Sequence, residues 1–219
     1  MEHRIHQILA TALILTFTLG ACQQPEMQVQ ECENVLPGAV TEVEWEDLTP
    51  GTIELWVEEN FSIDASQIVS GTMSDIYGAF VQFEWEADNN SYVAQLRSED
   101  ELSVISYYFP GGGVPLKKWL ECVGEPTAFR AEQVQYHRLE NQLALYYPTR
   151  GIIVSGTNSQ ANTNRIDENF LLSTVLIVRP SQSLRGLIAP TIDRSALESR
   201  LSSIRPWAGA EGEVSIIVD

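Results

Sequence analysis

The sequence has 219 residues, a formal net charge of −17 and a hydrophobic content of 44%, which suits one ordinary folded domain or two very small ones. A chain this negative is repelled by nucleic-acid phosphates and by anionic lipid surfaces, so neither is an expected partner. The charge is unevenly placed. From Cys22 to Pro110 the single basic residue Arg97 stands against eighteen acidic ones, whereas Gly111 to Asp219 holds eleven of each, and two halves with different surfaces are expected.

At the start of the chain, His3, Arg4 and His6 precede the apolar run Ile8 to Leu15, with Phe17 and Leu19 behind it. The run falls short of the about 20 apolar residues that a spanning helix needs. It ends at Leu19-Gly20-Ala21-Cys22, and the polar Gln23, Gln24, Pro25 and Glu26 follow at once. An aliphatic residue, two small residues and a cysteine at this place resemble the lipobox of bacterial lipoproteins. The resemblance implies a signal peptide over residues 1–21, cleavage before Cys22, and diacylglyceryl and palmitate-type chains on Cys22. These would hold the mature protein on a bacterial membrane, facing the periplasm or the cell surface, because two or more acyl chains anchor firmly without a transmembrane helix. The alternative is an ordinary signal peptide with a chance cysteine.

Residues 22–46 read as an acidic tether, rich in Gln, with Pro25, Pro37 and Gly38 and with Glu26, Glu31, Glu33, Glu42, Glu44 and Glu46 unrelieved by positive charge. Self-repulsion extends such a segment. Its acids lack the alternating-oxygen spacing of a calcium loop. A first α+β unit is expected over residues 47–110, with folded structure starting near Leu48. Thr52 is placed to cap a short helix carrying Ile53, Leu55, Trp56 and Phe61. Val81, Phe83 and Trp85 alternate with Gln82, Glu84 and Glu86 as in a half-buried strand. A turn at Asp88-Asn89-Asn90-Ser91 leads to a second strand with Tyr92, Ala94 and Leu96, and a third runs from Leu102 to Phe109.

Residues 111–219 read as a second α+β unit with a C-terminal extension. After Gly111-Gly112-Gly113, the segment Val114 to Leu120 echoes Thr52 to Val57, with Pro115 suited to a first helical turn. Val134-Gln135-Tyr136 echoes Val81-Gln82-Phe83; Leu143, Leu145 and Tyr147 parallel Tyr92, Ala94 and Leu96; Gly151 to Val154 adds a short strand. Ser173 to Pro180 can be laid on Ser103 to Pro110 without a gap. The predicted class is α+β, two helix-plus-antiparallel-meander units, either a tandem repeat or two stretches sharing the vocabulary of strands. An irregular stretch after Pro180 precedes a helix with Leu197, Leu201 and Ile204, capped by Thr191 or Asp193, and a last strand with Val214, Ile216 and Val218.

The order Trp119 to Pro126, then Leu145-Tyr146-Tyr147-Pro148, then Gly151 to Val154 is a helix ending in Gly-x-Pro, an aromatic strand and a glycine-led strand. It resembles small outer-membrane lipoproteins of the SmpA/OmlA kind, which support assembly of outer-membrane proteins. More loosely, it is similar to tandem-repeat β-lactamase-inhibitor-like proteins, which bind a partner on a concave sheet. The motif is first a stop signal, Gly124 serving the helix end and Pro126 preventing its continuation.

Residues for catalysis are sparse. After Cys22 the one histidine is His137, and no Gly-x-Ser-x-Gly elbow, phosphate loop or zinc-ligand spacing accompanies it. No catalytic residue, metal ligand or cofactor is therefore assigned. Glu84 and Glu86 share a strand face and are the carboxylates open to acid/base work, or to a plain solvated surface. Cys32 and Cys122 form an even pair that an oxidising exterior would bridge, closing a loop worth about 2–4 kcal/mol, or they remain separate thiols. The leading expectation is a lipid-anchored binding or scaffolding protein outside the cytoplasm with a protein partner. Trp56, Trp85, Tyr107, Tyr108, Tyr146 and Tyr147 are candidates for its binding face or for its core. The alternatives are an extracytoplasmic carboxylate-dependent hydrolase, and cation or cationic-partner binding by the acidic first half.

Overall fold

A computed structural model of the chain describes residues 32, 35–41, 43–45, 48–75, 78–98, 101–135, 139–158, 165–192, 194–208 and 216–217. Met1–Pro37 and Gly38–Asp219 are separate compact units. In the first, the described residues make a turn in which the Val35 and Leu36 amides donate to the Cys32 carbonyl. The second is an α+β fold built on one nine-stranded antiparallel sheet.

Packing starts earlier than Leu48. The short helix α1 (Gly38–Thr41) carries the buried Val40, and Trp45 is buried after it, so part of the expected tether belongs to the core. Helix α2 (Ile53–Phe61) buries Ile53 and Val57 but leaves Leu55 exposed. Thr52 does not cap it as expected. Its hydroxyl instead accepts from the Thr49 amide at 2.9 Å.

Strand β1 (Val69–Asp75) follows and was not legible in the sequence, because residues 69–73 are exposed on both sides and Gly71 interrupts the apolar positions Val69 and Met73. It opens the meander β1, β2 (Gly78–Ala87), β3 (Asn90–Ser98) and β4 (Glu101–Tyr108). Asp88 and Asn89 both have positive φ, 51° and 64°, as a two-residue type I′ hairpin turn requires.

The second half repeats this order. Strand β5 (Val114–Pro115) leads into helix α3 (Leu116–Val123), with Pro115 just before the helix rather than in its first turn. Gly124 ends the helix with φ 87° and ψ −176°, a positive φ as the motif demands, though extended rather than left-handed helical. Strands β6 (Ala128–Gln135), β7 (Leu139–Tyr147) and β8 (Ile152–Asn158) come next. Then come β9 (Arg165–Ile166), β10 (Leu171–Leu172), which pairs with β5, and β11 (Thr174–Ile177). The stretch expected to be irregular contains helix α4 (Leu184–Ile188), capped by Ser183, whose Oγ accepts from the Gly186 amide at 3.1 Å. Helix α5 (Arg194–Ser202), edge strand β12 (Arg205–Pro206) and β13 (Ile216–Ile217), which pairs with β9, complete the described chain.

The sheet order is β1-β2-β3-β4-β11-β8-β7-β6-β12. Two four-stranded meanders therefore join at their last strands, β4 and β11, antiparallel, with Ser106 opposite Leu176. Those two residues also coincide when Ser173–Pro180 is laid on Ser103–Pro110, so an approximate two-fold relation passes through their pair. The strand-by-strand correspondence read from sequence needs one correction. With β1 included, β6 matches β1 and β7 matches β2, one strand earlier than expected, and β8, read from sequence as an added strand, matches β3.

One face of the sheet carries the main core. Phe83, Trp85, Tyr92, Ala94, Ile105, Tyr107, Val175, Ile177, Val154, Ile152, Leu145 and Tyr147 are all buried there, alternating with residues of the other face. A ladder of aromatic contacts threads it. Trp85 stacks on Tyr92 with centroids 5.4 Å apart and an interplanar angle of 5°, Tyr92 meets Tyr107 at 5.1 Å, and Tyr107, Phe109, Trp119 and Tyr147 follow edge to face. Its far end is hydrogen-bonded. Trp119 Nε1 donates to Tyr147 Oη at 3.0 Å, and that hydroxyl donates to the Gly124 carbonyl at 2.9 Å. The helix stop and the aromatic strand singled out in the sequence are thus two ends of one latch.

Candidate functional site

The second sheet face is covered over half its width. Leu187 and Ile188 of α4 and Leu197 of α5 pack on Val104, Ala144, Tyr146 and Ile153, with Leu184, Ile192, Leu201 and Ile204 at the margin. One cross-strand row displays the change. It runs Val69, Glu84, Val93, Ser106, Leu176, Ile153, Tyr146, Ala128, Pro206 across all nine strands. Ser106, Ile153, Tyr146 and Ala128 are buried, whereas Val69 and Glu84 are exposed and Val93 is half-buried.

The uncovered half carries side chains that recognition uses. Glu84 and Glu86 are exposed on β2, Ser91 is exposed on β3, and Tyr108 on β4 is 43% exposed. Ser91 lies opposite both Glu86 and Tyr108. Gln82 Nε2 donates to Glu84 Oε1, and Gln95 Nε2 donates to Gln82 Oε1 at 3.1 Å. This chain of amides holds the Glu84 carboxylate in place on the strand. At the sheet margin Val69 and Met73 add apolar surface, 67% and 49% exposed. The alternation of acids along β2 was legible from sequence. Tyr108 was legible as an aromatic, but its placement on the face opposite Tyr107 depends on strand phase.

The other expected residues sort as follows. Trp85, Tyr107, Tyr146 and Tyr147 are buried, Trp56 is half-buried against Phe61 and Trp85, and of the six candidate aromatics only Tyr108 belongs to an exposed face. Apart from Tyr108, the aromatic set therefore packs in or against the core. Burial pushes the Tyr92 hydroxyl up from 10.0 to about 12 and raises Tyr107, Tyr146 and Tyr147 as well, which keeps all four neutral and packed. Cys32 and Cys122 are both disulfide-bonded. Cys22 and His137 lie outside the described residues.

Glu84 and Glu86 lie on an exposed strand face and present their carboxylates to whatever touches the sheet. Among the described residues, no group of three or more His, Cys, Asp or Glu side chains is arranged to hold a metal ion, and no helix is long and apolar enough to cross a membrane. Comparison with protein-family models, with curated proteins and with solved structures returns no match.

Proposed function

We propose that this chain is a lipid-anchored binding protein of the bacterial envelope, held outside the cytoplasm through Cys22, and that it docks a basic protein on the uncovered half of its sheet. The carrying observation is the asymmetry of one sheet face: α4 and α5 seal the second half, and the first half presents Glu84, Glu86 and Tyr108. An aromatic ring beside fixed charge suits a protein interface, where tyrosine supplies contact area at low entropic cost. The charge favours a cationic partner, since residues 22–110 hold one basic side chain. The resemblance to small envelope lipoproteins of the SmpA/OmlA kind supports the same reading. Cys32 and Cys122 are proposed to be joined to each other.

Two experiments test this. Metabolic labelling with palmitate should mark the protein and lose the mark in Cys22→Ser; an unlabelled wild type rejects the anchor. A photoreactive side chain at position 108, in intact envelopes, should give one discrete protein adduct that Glu84→Lys with Glu86→Lys removes. No adduct, or one indifferent to those charges, rejects the docking face.

A further inference from the structure

The two edges of the sheet are finished differently. At one, β12 is two residues long and contains Pro206, and Trp207 beyond it packs edge to face on Phe129 at 5.7 Å. Short strands, proline and covering side chains are the usual guards against strand addition. At the other, β1 is seven residues long, Val69 to Asp75, in unbroken register with β2. It has no lysine and no proline. Among the described residues nothing pairs with its outer side, and residues 69 to 73 are exposed throughout.

The sequence of this edge is Val69-Ser70-Gly71-Thr72-Met73, which reads alike in both directions: apolar, hydroxyl, glycine, hydroxyl, apolar. Val69, Gly71 and Met73 lie on the sheet face that holds Glu84; Ser70 and Thr72 lie on the core-side face. An antiparallel pair of such strands centred on Gly71 sets Val69 opposite Met73 of the second copy twice, and Ser70 opposite Thr72 twice. Both exposed apolar side chains are then paired, and hydroxyl faces hydroxyl, which are favourable cross-strand combinations. A two-fold contact needs a self-complementary patch of this kind.

From this we infer that β1 pairs with β1 of a second copy of this chain, centred on Gly71, to make a homodimer with one continuous sheet. Charge does not prevent it. Glu84 lies opposite Val69, so the β2 acids of the two copies are three strand spacings apart, about 14 Å, and Asp75 at the end of β1 is offset from Asp75 of the second copy by about 27 Å along the strands, both beyond the screening length of about 8–10 Å at physiological salt. Because the axis is perpendicular to the sheet, the uncovered half-faces of the two copies lie side by side. This inference does not depend on the docking reading above.

Cysteine crosslinking of the full chain in intact envelopes tests the register. Gly71 tolerates the change: a Cβ there meets nothing within 4 Å, and its φ is not positive. In the centred pair the two residues 71 are about 5 Å apart at Cα, inside disulfide range. Gly71→Cys should therefore oxidise to a covalent dimer. Val69→Cys alone should not, because its two copies are about 14 Å apart, whereas co-expressed Val69→Cys and Met73→Cys chains should join to each other. Adding Val69→Lys and Met73→Lys to Gly71→Cys sets like charges opposite one another and should reduce the dimer to the Val69→Cys level. Raising salt should preserve the dimer while weakening the capture of a basic partner at Glu84 and Glu86, which keeps the two proposals distinguishable. The inference is overturned if Gly71→Cys gives no dimer, if it bridges to a different protein, or if Val69→Cys crosslinks equally well.

Discussion

The two halves of the sheet bury the same inner face and differ on the outer one. In the second half the outer face is a second core beneath α4 and α5, which reaches Val104 and Ser106 on β4; over β2 and the edge strand β1 it is open. Neighbouring positions in one cross-strand row consequently do different jobs. Ile153 is buried in the cluster beneath the helices, whereas Val93 is half-buried and Glu84 beyond it is exposed. The second half is thereby a structural support, and the first half spends its outer surface on exposure. An antiparallel sheet permits this division because each strand separates its side chains strictly by face.

The most damaging change should be one that strikes what both halves share. Trp119→Ala removes a fully buried ring between Phe109 and Tyr147 and takes away the donor to Tyr147 Oη. A loss of roughly 3–5 kcal/mol is expected, in a single denaturant transition, since the aromatic ladder couples the halves. Two separate transitions would mean that each half stands alone.

The contrast between the halves is sharpened by a matched pair in the same row. Ile153→Ala, under the C-terminal helices, should cost about 2–4 kcal/mol. Val93→Ala, two strands beyond Leu176 across the joint, should cost under about 1 kcal/mol because its site is half-exposed. Urea midpoints of the two variants measure this directly, and equal losses would break the comparison.

The smallest effect at neutral pH, and one that emerges only in alkali, concerns the tyrosines. Tyr92 is held neutral by burial, its value raised from 10.0 to about 12. The unfolded chain then releases the proton first, so stability is intact below about pH 10 and declines as pH rises through the window to about 12. Tyr107, Tyr146 and Tyr147 shift in the same direction for the same first cause. The part of the phenolate absorbance that Tyr92→Phe removes should appear together with unfolding, and the same substitution should flatten the alkaline decline.

Much of the fold was legible from sequence where burial differed between alternate residues. Phe83 and Trp85 against Glu84 and Glu86 gave β2 its period, and Asp88-Asn89 gave the hairpin its turn. Strand β1 was not legible, because an edge with both sides exposed has no periodicity to read. Helix α4 was short and interrupted by Gly186; its signal was Ser183 followed by Leu184, Leu187 and Ile188 at helical spacing. Of the candidate site, the acids of β2 were legible. The choice between Tyr107 and Tyr108 depended on strand phase, and the openness of the face depended on where α4 and α5 fold back, which is a long-range fact. The β4–β11 joint was in view as a resemblance between two segments, yet similarity of strands does not itself say that they touch.

The aromatic ladder has a consequence for optical measurement. Tyr92, stacked on Trp85 at 5.4 Å, and Tyr147, in contact with Trp119 at 6.3 Å, lie well within the range of excitation transfer from tyrosine to tryptophan. Excitation along this file of rings drains toward the indoles of Trp85 on β2 and Trp119 on α3. Emission from Tyr92 and Tyr147 should therefore be dark in the native protein and light up when the half that holds each pair unfolds, an intrinsic signal that needs no attached dye.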